Sequence, residues 1–259
     1  MHSHINFGYA WYWTYGHLVV TAIALPLFWL AFARKWPKLP LAVFGAVTLW
    51  SVAAFLAVRF DLNMNGRTPL PTQSFLPSGA GRVLDMGAGT GRSTLMVLEA
   101  RPRAFVVALD RFSDEYARHF GDLRNGQQIL DQGRARLLEN LKAAGVERRA
   151  AIQAGDMRQM PVESAAFDAV VSAYAIDHLN RDGIHQALGE ASRVLKPGGQ
   201  FLLMVVAKDL WVEWTWGPLF MHTRLPGPDR WIAFLRNAGF QVVESGSRPA
   251  TLYFLARKP

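Results

Sequence analysis

Asp85-Met86-Gly87-Ala88-Gly89-Thr90-Gly91 sets an acid and three alternate glycines directly after the apolar pair Val83-Leu84. Glycines serve a backbone that takes φ > 0 or passes very close to a ligand. The run reads as a strand ending at Met86, with Ser93 to Leu98 opening a helix. Such a Gly-rich strand-to-helix turn is where open α/β sheets hold nucleotide-like molecules. The spacing narrows the ligand. A dinucleotide fingerprint needs a small third residue inside the helix, where this chain has Arg92, and the Gly-Lys-Ser/Thr of a phosphate loop is absent. Asp85 would repel a diphosphate but suits a cationic amine. Gly87, Ala88, Gly89, Thr90 and Gly91 are therefore candidate ligand contacts, set against the plainer alternative of a tight turn that holds nothing. A second apolar run, Ala104 to Leu109, ends in Asp110. An acid about 20 residues past the glycines is where a ribose is gripped through its hydroxyls.

Further landmarks follow in order. Ala151 to Ala154 leads to Gly155-Asp156-Met157, Phe167 to Ser172 reads as a buried strand, and Leu195-Lys196-Pro197-Gly198-Gly199 turns into a strand over Gln200–Val206. Together with Asp-x-Gly-x-Gly-x-Gly, this series resembles the class I S-adenosylmethionine-dependent methyltransferases over residues 79–259. The resemblance implies a Rossmann-like α/β fold, a seven-stranded, mostly parallel sheet with an antiparallel final strand. It implies S-adenosylmethionine as cofactor. Asp85 and the glycine backbone would hold its amino-acid end, Asp110 the ribose, and Asp156 with Met157 the adenine, with Arg111 and Ser172 lining the same cleft.

A methyl on a sulfonium is already activated, so such an enzyme mainly aligns two reactants for in-line displacement and excludes water. A base is needed only for a hydroxyl, a carbon acid or a protonated amine. Asp177-His178 follows the fourth strand, and a histidine near neutral pKa beside a carboxylate could take that proton. The alternative is that His178 only packs at a helix start, since adjacent helical residues do not share a face.

The elements that must position this chemistry fall into three parts. Residues 1–60 read as two hydrophobic membrane helices, 61–80 as a linker rich in Asn, Gly, Pro, Ser and Thr, and 81–259 as the methyltransferase domain. No Asp, Glu, Lys or Arg occurs from Ile5 to Ala33, and Leu39 to Val58 is again uncharged. Runs of roughly 20 apolar residues cross a bilayer core, and Trp11, Trp13, Trp29, Trp36 and Trp50 suit its interfaces. The bland alternative is a helix pair buried against the domain or a second subunit. The basic loop Arg34, Lys35 and Lys38 would by charge bias face the cytoplasm, leaving the domain outside. The cofactor is cytoplasmic, which favours a domain facing the cytoplasm at the cell inner membrane; a hairpin dipping into the inner leaflet satisfies both.

The formal charge of +8 suits a basic domain beside an anionic leaflet. No compact basic helix interleaved with aromatics points to nucleic acid. Without cysteine there is neither a disulfide framework nor a thiolate site, and the histidines lack metal-ligand spacing, so no metal is expected. Two aromatic-rich stretches, Arg111–Asn125 and Asp209–Arg230, read as long loops of the kind that usually serve function, here a lid over a greasy substrate or a second membrane contact. The reading is a membrane-attached methyltransferase acting on a lipophilic acceptor: a phospholipid headgroup, a quinone or an isoprenoid. The alternatives are a catalytically silent cofactor-binding tethered subunit and a related transferase that uses the cofactor for non-methyl chemistry. The sequence leaves room for a homo-oligomer.

Overall fold

The computed structural model describes residues 5–112, 132–220 and 225–259. Two long helices come first, α1 (Trp11–Ala33) and α2 (Lys38–Ala57), the second running on into a π-turn over Val58–Leu62. There follow β1 (Ala80–Met86), α3 (Arg92–Ala100), β2 (Arg103–Asp110), α4 (Gln132–Ala143), β3 (Ala150–Ala154), β4 (Phe167–Ala173), α5 (Arg181–Val194), β5 (Leu195–Val206), α6 (Leu210–Phe220), α7 (Pro228–Asn237), β6 (Gln241–Arg248) and β7 (Thr251–Arg257). The seven strands form one sheet in the order β3-β2-β1-β4-β5-β7-β6. β1 to β5 pair in parallel, and β7 runs antiparallel between β5 and β6.

Strand alternation divides the core into two layers. Leu84, Met86, Val107 and Leu109 point to one face, where α5 offers Ile184, Leu188 and Ala191 and α7 offers Trp231 and Leu235. Val83, Val106 and Ala108 point to the other, beneath Leu95 and Leu98 of α3 and Leu137 and Leu141 of α4. The Lys196–Gly199 segment does not end before the strand; it forms a bulge within β5, so that Phe167 pairs with Leu195 and Ala169 already with Gln200. Gly198 takes φ 75° there, a value open to glycine.

Residues 61–80 are a packed strap rather than a loose tether. Leu70, Phe75 and Leu76 belong to the second core layer, and Arg101 donates to the carbonyls of Phe75 and Gln73 at 2.8 and 2.9 Å. Phe7, ahead of the first helix, is fully buried in the same layer.

α1 and α2 pack against each other, with Gly45 letting Phe28 approach and Thr21 bonded to Ser51 at 2.8 Å. Small residues and hydroxyl bonds at a helix contact are what apolar surroundings favour. Both helices are long and apolar enough to cross a membrane, and only 17% of each apolar window is buried. A helix from the core of a soluble domain would be mostly covered. Exposed Trp11, Ile23, Trp29, Leu39 and Leu49 make up the uncovered faces.

Asp209–Arg230 is not the expected loop. Its first part is α6, apolar but for Glu213 and Thr215 and docked on the hairpin. Trp13 and Trp216 stack edge to face at 5.4 Å, and His17 lies 4.8 Å from the Trp216 ring. His17 Nε2 donates to the Thr215 carbonyl at 2.7 Å, Trp50 Nε1 to that of Trp214 at 2.9 Å, and Trp211 Nε1 to the Asp61 carboxylate at 3.1 Å. Most of the other aromatic stretch, including Asp114, Tyr116 and His119, lies outside the described residues.

Candidate cofactor site

The glycine turn leaves β1 at the carboxyl edge of the sheet and enters α3 at Arg92. Gly87, Gly89 and Gly91 take φ of 85°, 57° and 93°, a region that side chains disfavour. Space adds a second reason at the outer two. A Cβ on Gly87 would sit 2.3 Å from Ala175 Cβ and 3.0 Å from Met157 Cε, and one on Gly91 2.3 Å from Leu137 Cδ1.

Two acids fix the turn from below and from the side. Asp85 is fully buried and accepts bonds from Ser93 Oγ at 2.7 and 2.9 Å and from Thr94 Oγ1 at 2.5 Å. Burial pushes its carboxyl up to about 6, partly offset by those two hydroxyls. The acid expected to meet an amine thus lies under the turn, where it holds the first residues of α3 to β1. Asp110, at the end of β2, accepts from the Gly89 and Phe112 amides, each at 2.9 Å. Turn and ribose-type acid are therefore one hydrogen-bonded unit. Carboxylate oxygens can each accept more than one bond, so this acid fits a sugar diol beside the turn.

The other expected residues divide. Ser172 is buried and donates to the Met86 carbonyl at 2.8 Å, which ties β4 to β1 just below the turn. Asp156 stands at the end of β3, bonded to Arg158 at 2.6 Å with Arg111 3.9 Å away. The Arg158 hydrogen bond holds its carboxyl below the usual range. Met157 reaches the underside of Gly87. Asp177 Oδ2 accepts from the Val206 amide at 2.9 Å, and burial pushes its carboxyl up, while the charge of exposed His178 works the other way. Among the described residues, Asp177 Oδ1 is buried without a hydrogen-bond partner.

Other residues at the cleft come from far along the chain. Thr90 Oγ1 donates to the Phe7 carbonyl at 2.8 Å, and Asn140 Nδ2 bridges the carbonyls of Asn6 and Thr90 at 3.0 and 2.9 Å. Tyr9 and Asn65 exchange two bonds, at 3.0 and 3.2 Å. The cleft above the turn is lined by Gly87 to Thr90 together with Tyr9, Thr68, Arg92 and Tyr174. Tyr174 takes φ 54° and bonds Thr251 at 2.7 Å. Ser93 and Thr94 were legible in principle, since they follow the glycines directly; Tyr9 and Thr68 carry no local signal. A larger surface hollow, about 510 Å³ between Gln159–Glu163 and Arg193, contains none of these residues, and its arginine is already paired with Glu190.

This arrangement can hold an elongated nucleoside across the carboxyl edge of the sheet, with the sugar over β2, the base towards β3 and the rest of the molecule over β1 and β4. Comparison with known proteins agrees. A family model described as "Methyltransferase domain" matches residues 83–199. The ubiquinone/menaquinone biosynthesis C-methyltransferase UbiE of Syntrophotalea carbinolica is 32% identical over 127 residues, 49% of this chain and 44% of that protein. Its namesake in Methylobacterium nodulans is 31% identical over 58% of this chain and 46% of its own. The chain thus spans less than half the length of these curated relatives. An O-methyltransferase family 2 protein from Planctomyces limnophilus shares the fold, with a TM-score of 0.53, 18% identity, and coverage of 92% of this chain and 62% of that one. Residues 83–199 thus match a methyltransferase domain, and the sheet order and glycine turn agree with the class I S-adenosylmethionine-dependent methyltransferase fold.

Proposed function

We propose that this protein is a membrane-attached S-adenosylmethionine-dependent methyltransferase acting on a lipophilic acceptor, with a quinone-type ring first among the candidates. The observation that carries the reading is the hydrogen bond that joins the Asp110 carboxylate to the Gly89 amide at the carboxyl ends of β1 and β2, beside the β1–β4 switch point of the sheet, with an apolar hairpin packed against the same domain. In this reading residues 1–60 anchor the chain, 61–80 strap it to the domain, and 81–259 carry the chemistry.

When bound, S-adenosylmethionine supplies an activated methyl group. The chain's own residues then have three tasks. Asp110 receives the ribose hydroxyls, while Asp156, Met157 and Arg111 shape the adenine end. The Gly87–Gly91 turn, held by Asp85 and Ser172 from below, fixes the direction of approach; alignment of this kind removes several kcal/mol of barrier. Asp177 and His178, beyond the end of β4, are the groups suited to accept a proton from the acceptor. Similarity to enzymes named for C-methylation of quinones favours a ring carbon as nucleophile, which does need such a base.

The hairpin supports membrane attachment at the cell inner membrane, with the domain on the cytoplasmic side where the cofactor is. Full-length protein in lipid vesicles, given methyl-labelled S-adenosylmethionine and a membrane lipid extract, should move label into the organic phase. Label in no lipid, quinone or small molecule would overturn the enzyme reading and favour a silent cofactor-binding subunit. Calorimetric binding of NAD and not of S-adenosylmethionine would overturn the cofactor.

A further inference from the structure

We infer that Arg92 is the carboxylate-binding residue of the cofactor site, gripping the amino-acid end of S-adenosylmethionine from the start of α3; this rests on the cofactor reading above. The argument is an inventory of charge. The acids suited to the nucleoside, Asp110 and Asp156, stand at the ends of β2 and β3. The cleft over the turn belongs instead to β1, the start of α3 and the end of β4, with Ala173 and Tyr174 as its far wall. A ligand with its sugar at Asp110 lays its amino-acid end there. That end carries an ammonium and a carboxylate, and the carboxylate needs a cation or a set of amides.

The turn's amides are largely committed. Gly87 and Ala88 donate to the Leu109 carbonyl at 2.8 and 3.0 Å, Gly91 to that of Ala88 at 2.9 Å, and Gly89 to Asp110. Among the described residues lining the cleft, Arg92 is the one that carries charge. Its guanidinium donates only to carbonyl oxygens, through Nε to Gly66 at 3.2 Å and through Nη2 to Leu62 at 3.0 Å and Asn63 at 3.3 Å. No ion pair forms on it within the described residues. Carbonyls orient a guanidinium and leave its charge unneutralised, and a planar fork so held is prepared for a carboxylate. Arg92 stands near enough to Tyr174 for its charge to offset part of the upward push that burial gives the tyrosine hydroxyl, and both line the cleft.

The alternative is that Arg92 serves only to tie down residues 62–66. Two ligands separate the cases: S-adenosylhomocysteine and its decarboxylated analogue, which keeps the nucleoside and the amine. Calorimetry on the full-length protein in detergent should show the wild type binding the carboxylate-bearing ligand about tenfold or more tightly. Arg92→Gln should abolish that preference while leaving affinity for the analogue within about twofold, and Arg92→Lys should keep part of it. Equal weakening of both ligands, or a preference that survives in Arg92→Gln, overturns the assignment. If Arg92→Gln does not fold by thermal melting, the wild type still decides, because binding both ligands equally also overturns it. A wild type that binds neither ligand refutes the cofactor reading instead.

Discussion

Asp110 and Gly89 are joined by a 2.9 Å bond from backbone amide to carboxylate, across 21 residues of chain. Hydrogen bonds to charged groups contribute about 1.5–3 kcal/mol each, and Asp110 also receives Phe112. Asp110→Ala should therefore loosen the turn as well as remove a sugar contact. Affinity for S-adenosylhomocysteine is expected to fall by about 10- to 100-fold in calorimetry. An affinity within a factor of two of wild type would separate Asp110 from the site.

Gly87 is confined by its neighbours as well as by its backbone. With φ at 85° and Ala175 only 2.3 Å from a new Cβ, Gly87→Ala is expected to cost about 2–4 kcal/mol in a denaturant titration. Adding Ala175→Gly removes the clash and should recover part of the loss; what persists is the backbone strain.

Asp85 gives the fold a pH dependence of unusual direction for an acid. Burial raises its carboxyl from 3.8 to about 6. Below pH 3.8 the proton is held in both folded and unfolded chains, and burial of charge costs nothing. Between the two values only the folded protein holds it, so this group's contribution declines as pH rises, and above about 6 the full cost of about 3 kcal/mol applies. Asp156, Asp168, Glu190 and Glu244 act in the opposite sense, since hydrogen bonds and ion pairs keep each below its usual value. The measurement is therefore a difference. The stability of wild type minus that of Asp85→Asn should fall from pH 4 to 6 and then level off; a flat difference would remove Asp85 from the account.

Trp50 tests the dock between hairpin and α6. Trp50→Phe keeps an aromatic ring, though a smaller one, and deletes the N–H that reaches the Trp214 carbonyl. One such bond contributes about 1 kcal/mol, so amides of residues 212–216 should exchange about fivefold faster if they open by local undocking. Unchanged exchange there, with faster exchange in α3, would place the effect elsewhere.

The glycine turn, the strands and Asp110 were legible because their signals are local: a spacing, an apolar run, an acid at its end. The seven-stranded, mostly parallel sheet with its antiparallel final strand followed from the family resemblance that those signals carried. The partners of Asp85 lay only 8 and 9 residues on, yet a buried carboxylate bonded to the start of α3 depends on which way β1 presents Asp85, and the spacing does not encode that. Tyr9 and Asn65 could not be paired from sequence, since nothing local marks a contact across 56 residues. α6 was hidden for another reason. Apart from Glu213 and Thr215 its residues are apolar, so no helical period stands out from Leu210 to Phe220, and the same composition reads equally well as an aromatic loop.

The two bonds between Tyr9 and Asn65 mean that the chain returns to its point of departure before the domain begins. The hairpin is thus an excursion of the chain whose ends already meet. Replacing residues 11–62 by a short glycine-rich turn, with polar residues at Trp211, Trp214 and Trp216 where α6 loses its cover, should leave the glycine turn roofed by Phe7 and Tyr9. Where the protein resides and what it does to its ligand would then be independently exchangeable properties, with another anchor, or none, spliced in at the same two residues.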